Sequence, residues 1–517
     1  MTACCPGRAG RRGHPYTAHW FVVHDRDGAV DLGATCSPGV LPRSDLECAA
    51  AVKGMLAEAG RPLLHGDQTG RFLLWDGSGA YSPRMSTFGA EVAEWAAAAV
   101  REAAEDVRAA VAAYIEGRPE RERKGLRDSA RQAWGKHHLY ADRLWSDAGQ
   151  TAFERQLAAV CGVDERLLDA GTGEIVLDNG TLSYEAILRT RRVELLPHDQ
   201  GARATRRTGD GAAWEPGADC PVFKEFLRTS VPDAAQRDWL CWRVANALFG
   251  RMPRKGFVNL IGERDSGKST FTETIAALAG GYAKSVAVET FLVKHTGDQG
   301  FLLHELMGAR FAHSHEPRPG GTYDESFMKR LTGRDRMRTR TLYGKPVEWS
   351  PQCTPFIGSN GPVRFNTSDD AFMGRQEVVR FQRGYASADP WLAERLRGEL
   401  NGILTYLVSF IVREAWHGMP PLPQSSAEER ERLAEETEDS LSFVADQVEE
   451  GRLGEKQGLP VSHYAPVKQL YSRYQFWCGE AGVKPVGRKT FCAIVGRRYP
   501  VSKSGVWVFR GLVLSTP

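Results

Sequence analysis

Apolar residues along this chain recur at two spacings, and the spacings divide it into regions. Phe88–Glu116 repeats its apolar positions at helical period in an alanine- and glutamate-rich stretch, and Leu46–Ala59 predicts a shorter helix. Arg71–Trp75 reads as a strand closed by the turn Asp76-Gly77-Ser78-Gly79. The charged run Arg118–Arg131 predicts a solvated helix face or a linker, with helical segments following to about Val160. Over residues 165–220, Asp169-Ala170-Gly171-Thr172-Gly173, Asp178-Asn179-Gly180 and Gly209-Asp210-Gly211 punctuate short strands. Val222–Phe249 is helical again, with apolar residues at Phe223, Phe226, Leu227, Trp239, Leu240, Val244 and Leu248. Phe257–Ile261 is a short continuous run of the kind that makes a buried strand, and Phe271–Leu278 continues as a helix. Further on, Phe301–Met307 predicts a helix, and Arg310–Glu316, Gln352–Asn360 and Val378–Phe381 predict strands. Ser425–Asp439 reads as a charged helical connector. Pro466–Cys478 and Arg488–Val495 read as two helices before a strand pair around Ser504-Gly505, and residues 1–16, rich in Gly, Arg and Pro, read as a disordered tail.

Composition narrows the class. A length of 517 residues suggests about three domains, and 42% hydrophobic with 25% charged residues fits a globular protein with a real core. The net charge of +3 names no partner by itself. No run of about 20 apolar residues predicts a membrane span, and Met1–His14 has no apolar stretch after its arginines, so no secretory signal is expected. Ten scattered cysteines without a CxxC pair argue against zinc and disulfide frameworks and for a reducing cytoplasm.

The sharpest chemical signal is the loop after Phe257–Ile261. Gly262-Glu263-Arg264-Asp265-Ser266-Gly267-Lys268-Ser269-Thr270 matches GxxxxGK[ST] between a strand and a helix, the context that this motif requires. Glycines let backbone N–H groups turn toward an anion, and the helix start adds its positive end. Lys268 is expected on the β- and γ-phosphates of ATP and Ser269 on Mg²⁺. Glu316, closing the strand Arg310–Glu316, is the candidate acid that polarises the attacking water and helps hold the metal. His313 and His315 alternate in that strand, a spacing that packing explains better than metal ligation. Asn360, ending the next strand, can hydrogen-bond the γ-phosphate or the water, and Arg375 can supply positive charge to a neighbouring subunit's nucleotide.

Two basic regions suit nucleic acid. Lys329, Arg330, Arg334, Arg336, Arg338, Arg340 and Lys345 surround a predicted hairpin whose tip carries Tyr343 and Lys345. Residues 457–517 hold nine Lys or Arg against Glu480 alone, and the order helix, helix, hairpin suggests a winged helix offering Arg488 and Lys489 to DNA.

Taken in order, the Gly262–Ser269 loop, the Ala309–Glu316 strand, Lys329–Asp335, the strand ending at Asn360 and Arg375 before Val378–Phe381 resemble superfamily 3 helicases. The chain looks most like the helicase part of the phage and plasmid primase-helicase family that includes the poxvirus primase-helicase. Leu167–Leu182 and Pro221–Leu227 extend the likeness upstream. The resemblance implies an α/β fold with an AAA+-like P-loop ATPase core, an N-terminal α+β domain and a C-terminal winged-helix domain. On that plan residues 17–220 form the N-terminal domain, 221–250 a helical collar, 251–410 the core, 411–456 a helical connector and 457–517 the winged-helix-like domain. It implies a ring, usually a hexamer, moving on single-stranded or forked DNA with ATP and Mg²⁺. Lys268, Glu316, Asn360 and Arg375, the last in trans, would serve catalysis; Lys329, Arg338, Arg340, Tyr343, Lys345, Arg488 and Lys489 would serve DNA. The expected setting is replication of a phage, plasmid or mobile element in the bacterial host cytoplasm, with a possible separate primase or replication protein as partner. His315 departs from the family, many members having an acid there, and the roughly 65 residues before the resembling region are too few for a fused primase domain, so no primer synthesis is expected. The rival expectations are an ATP-dependent initiator or loader that melts DNA without processive unwinding, and a small-molecule kinase, against which the basic hairpin and tail argue.

Overall fold

The computed structural model describes residues 19–25, 28–34 and 44–514, apart from residues 118, 210, 294–302, 304, 316–321, 340–346, 362, 364, 366–369, 383–388, 438 and 482–484. The chain forms two compact units. One holds residues 1–171 with 198–206, the other residues 172–197 with 207–517. The domain expected over 17–220 is therefore split in the structure, because Thr172–Pro197 and residues 207–220 pack with the larger unit.

The smaller unit is mixed α and β. An antiparallel pair, His19–Asp25 with Gly28–Ala34, precedes the helix Asp45–Glu58, whose first turn is capped by the Ser44 side chain. Four short strands follow in the spatial order Tyr81–Pro83, Phe72–Trp75, Leu63–Gly66, Gly162–Val163. The long helices Phe88–Glu116 and Glu120–Leu144 pack on each other, and Asp147–Cys161 completes a core around Leu74, Phe88, Val92, Phe153 and Leu157. The charged run after Arg118 is thus helical from Glu120. Residues 198–206 rejoin this unit, where the Asp169 carboxylate accepts from the Thr205 amide at 2.7 Å.

The larger unit is built on five parallel strands: β1 (Phe257–Ile261), β2 (Ala283–Ser285), β3 (Phe311–His315), β4 (Thr354–Ser359) and β5 (Gln376–Arg380). Their spatial order is β2-β3-β4-β1-β5. β1 is buried at all five positions, as a central parallel strand covered on both faces must be. Its one polar member, Asn259, is satisfied: Nδ2 donates to Gln376 Oε1 at 3.2 Å and Oδ1 accepts from the Tyr323 hydroxyl at 2.9 Å.

The expected helix over Val222–Phe249 is two helices, Pro221–Ser230 and Ala234–Leu248. Pro232 interrupts the first, and the Asp233 carboxylate caps the second by accepting from the Gln236 amide at 2.9 Å. The second helix carries Arg243 into the core. There its guanidinium lies 2.8 Å from the Glu377 carboxylate of β5, with both side chains at 0% exposure. Trp239 Nε1 donates to the same carboxylate at 3.0 Å.

The hairpin Glu174–Leu177 with Gly180–Ser183 adds Ile175, Leu177 and Leu182 to the main core, which also takes in Phe223, Phe271, Phe311, Phe356 and Leu404. The predicted connector is the helix Gln424–Thr437, and it is docked: Leu433 packs on Ile261 and Val378, and Glu429 grips Arg380 with two hydrogen bonds of 2.8 Å. The last part has its own core of Phe443, Leu470, Tyr474, Phe491 and Phe509. Helices Val467–Ala481 and Arg488–Arg498 precede the strands Val501–Ser504 and Val506–Phe509, and Ala465–Pro466 forms the third strand.

Candidate nucleotide and nucleic-acid site

The Gly262–Thr270 loop leaves the carboxyl end of β1 and enters the helix Lys268–Ala279, the edge of a parallel sheet where ligands bind in this architecture. Two glycines are required by geometry. A Cβ on Gly262 would sit 2.3 Å from the Phe381 carbonyl oxygen, and one on Gly267 would sit 2.9 Å from the Phe226 ring. Gly267 has φ +94 and Asp265 φ +61, left-handed turns of the kind that make successive amides converge on an anion. Gly267 is also the N-cap of the helix and supplies no side chain for its first turn. Lys268 is buried, and Nζ donates to the carbonyls of Gly262 and Glu263, both at 2.7 Å, and to Ser266 Oγ at 3.1 Å. Glu263, Arg264, Asp265 and Ser269 are exposed, with Thr270 half-buried.

β3 and β4 end beside this loop. The Gly262 amide donates to the Ser359 carbonyl at 3.2 Å, so Asn360, the next residue and exposed, lies next to the loop's first residue. At the end of β3, His315 Nε2 is 2.8 Å from Thr272 Oγ1, a hydroxyl within reach of the carbonyls of Lys268 and Ser269. A Cβ at Gly358 would come within 2.8 Å of the His315 ring, so this glycine makes the space that His315 occupies. His313, pointing into the sheet packing, has its pKa pushed down to about 4 by burial, with His315 adding to the shift. Sequence reasoning missed the His315–Thr272 link; the helix position of Thr272, one turn past Ser269, was the available signal. Glu316 lies outside the described residues. Among the described residues no group of three or more His, Cys, Asp or Glu is arranged to hold a metal ion.

Arg375 stands at the far end of the sheet. Its carbonyl accepts from the amide of Phe257, the first residue of β1, at 2.9 Å, and Nη1 donates to Ala371 O at 2.6 Å. At about 3.3 Å per strand residue, its backbone is about 16 Å from Gly262 along β1. At the β5 edge, Gln236, Arg380, Gln382, Glu429 and Arg432 line a pocket that no residue of the loop enters. The Gln382 amide donates to the Ser230 carbonyl at 2.8 Å, fixing this edge to the helix Pro221–Ser230.

The basic hairpin is present in part. Met337–Thr339 pairs antiparallel with Val347–Trp349, setting Arg338, exposed, opposite Glu348. Arg340, Tyr343 and Lys345 lie outside the described residues. Lys329 is half-buried on the helix Glu325–Gly333. Arg334, counted among the seven bases, is turned inward: it caps that helix in the left-handed region at φ +60 and donates to the carbonyls of Pro351 and Gly250, both at 3.2 Å. It belongs to the packing and not to a basic surface. Arg488 and Lys489 are exposed in the first turn of the helix Arg488–Arg498, where positive charge opposes the helix dipole.

No protein-family model matches the chain. Over 225 residues, 39% of this chain, it is 24% identical to the protein named "Putative helicase L207/L206" of Acanthamoeba polyphaga mimivirus, and it spans only 23% of that protein's length. Among solved structures, two apo structures of the C-terminal region of NrS-1 are similar. One has a TM-score of 0.44 at 12% identity, covering 92% of this chain and 100% of that one; the other has 0.37 at 13% identity, covering 60% and 80%. No described helix is long and apolar enough to cross a membrane.

Proposed function

We propose that the chain is an ATP-dependent DNA helicase of superfamily 3, acting in replication of a phage, plasmid or integrated mobile element as a hexameric ring on single-stranded DNA. The observation that carries this reading is the Gly262–Thr270 loop. It is a cradle in which Cβ atoms at Gly262 and Gly267 would not fit, with the Lys268 ammonium held at 2.7 Å by two loop carbonyls over a glycine-capped helix start. These residues fit a triphosphate with Mg²⁺: the convergent amides and Lys268 hold phosphate oxygens, and the exposed Ser269 hydroxyl is available to the cation. Bound Mg²⁺ would neutralise charge that develops on the phosphates.

Within this reading Glu316 polarises water and helps hold the metal, Asn360 senses the γ-phosphate beside Gly262, and Arg375 serves a neighbouring protomer. The strand order β2-β3-β4-β1-β5, with the Asn360 strand between the loop strand and the acid strand, supports an AAA+-like core. Lys329, Arg338, Arg340, Tyr343 and Lys345 of the core, with Arg488 and Lys489 of a winged-helix-like domain, contact DNA. Basic side chains at a helix start are unfavourable by about 0.3–1 kcal/mol unless an anion sits there, which suits a phosphate backbone. The helicase name of the mimivirus relative supports the nucleic-acid assignment over a limited segment.

A second reading, an initiator or loader that melts DNA without travelling, is favoured by one observation: β3 ends in His313-Ser314-His315, and His315 is engaged with Thr272. A long forked duplex separates the two. A helicase displaces the strand over hundreds of base pairs with DNA-stimulated ATP turnover, whereas a loader turns over ATP and leaves the duplex intact.

A further inference from the structure

We propose that the turn of the C-terminal hairpin, Lys503–Trp507, is a stacking site for an unpaired base of single-stranded nucleic acid. This rests on the DNA-binding reading above and adds a site that neither the hairpin at 337–349 nor Arg488 and Lys489 provides.

The argument begins with strand lengths. Val501–Ser504 and Val506–Phe509 pair through Gly505, which takes φ +69 in the turn, with Lys503 opposite Trp507 and Ser504 opposite Val506. The third strand, Ala465–Pro466, pairs only with Phe509 and Val508. Beyond Val508 the hairpin therefore projects past its sheet. Val508 and Phe509 are buried, while Val506 is 58% and Trp507 55% exposed. Val506 and Trp507 are consecutive on the strand and so face opposite sides of the hairpin, which leaves the Trp507 indole open on the face that it shares with its cross-strand partner Lys503.

The surrounding charge selects the occupant. In sequence, residues 481–517 hold seven Lys or Arg and no Asp or Glu. Arg497 and Arg498 pair with Asp370 and Glu455 from elsewhere in the chain, so the cations on the hairpin itself are Lys503 and Arg510. Lys503 Nζ lies 5.9 Å from the Trp507 ring centre, so a cation accompanies the aromatic face. An exposed indole beside a cation in an acid-free segment matches single-stranded nucleic acid, whose bases stack while its phosphates meet the bases of the protein. The hydrogen bond from Arg510 Nε to Ser502 Oγ at 3.0 Å ties a further cation to the same hairpin.

The test uses the full chain and two oligomers of equal length and charge, (dT)20 and an abasic 20-mer. Wild type is expected to bind (dT)20 about tenfold more tightly than the abasic strand, from the usual contribution of one stacked base. Trp507→Ala should weaken (dT)20 binding about tenfold and leave binding of the abasic strand unchanged, and Trp507→Phe should restore most of the loss, with melting temperatures matched to show that the domain is folded. Equal (dT)20 affinity of Trp507→Ala and wild type, or a changed oligomeric state with unchanged affinity, overturns the site. If wild type shows DNA-stimulated ATP turnover while Trp507→Ala binds both oligomers as wild type does, only the stacking site falls. If wild type binds neither oligomer and its turnover ignores DNA, the DNA-binding reading falls with it.

Discussion

Lys268 and Arg375 lie at opposite ends of one parallel sheet. Lys268 follows the loop at the carboxyl end of β1, and Arg375 pairs by its carbonyl with Phe257 at the amino end. A gap of about 16 Å along the strand exceeds the length of an arginine side chain, so Arg375 cannot serve the loop of its own chain. Within the proposed function, that gap assigns Arg375 to a neighbouring protomer's loop. Arg375→Ala should lower kcat for ATP by about 10³-fold with KM nearly unchanged, as for other arginines supplied in trans. Lys268→Ala should lower turnover by about 10²-fold or more. Mixing the two inactive variants should restore measurable turnover, because some interfaces then join an intact loop to an intact arginine. No recovery at any ratio would exclude sharing.

The strand, loop and helix around Gly262–Thr270 were legible because their signals are local. The loop motif, the buried run before it and the helix after it occupy adjacent residues, whereas the strand ending near His315 holds two histidines and few aliphatics and is weakly marked in the sequence. What was hidden depends on contacts distant in sequence. Nothing local in the sequence marks Arg243 and Glu377 as partners, yet they pair at 0% exposure across 134 residues (377 − 243). Arg334 looked like one more base of a basic hairpin until its carbonyl partners in Pro351 and Gly250 turned it inward. The assignment of Thr172–Pro197 to the larger unit depends on where Ile175, Leu177 and Leu182 find cover, which no local period encodes.

The Arg243–Glu377 pair makes a stability prediction. Burial raises the Glu377 pKa against the opposing pull of Arg243 and, after it, of Arg254 at 3.6 Å, so the buried carboxylate depends on its cations and the buried Arg243 on the carboxylate. Removing one partner should destabilise the larger unit by about 3–5 kcal/mol, whereas replacing both, as in Arg243→Met with Glu377→Leu, should recover most of the loss. Denaturant midpoints of the two single variants and the double variant check this. Additive losses in the double variant would contradict it.

His313 makes a pH prediction. Its folded-state pKa is lowered from the ordinary 6.5 to about 4, first by burial and then by His315. The folded chain therefore keeps it neutral while the unfolded chain takes up a proton below about pH 6.5. The stabilising contribution is complete above that value and is lost progressively as pH falls toward 4, by at most about 3 kcal/mol. His313→Phe should flatten the decline in unfolding free energy between pH 6.5 and 4.5 relative to wild type. An unchanged slope would show that other groups dominate.

The most direct measurement is steady-state ATP hydrolysis by the full chain with and without single-stranded DNA, for wild type and Lys268→Ala side by side. Turnover by wild type that rises severalfold with DNA, and is lost in a folded Lys268→Ala variant, is the predicted result. Turnover that persists in Lys268→Ala, or wild-type turnover indifferent to DNA, would contradict the account.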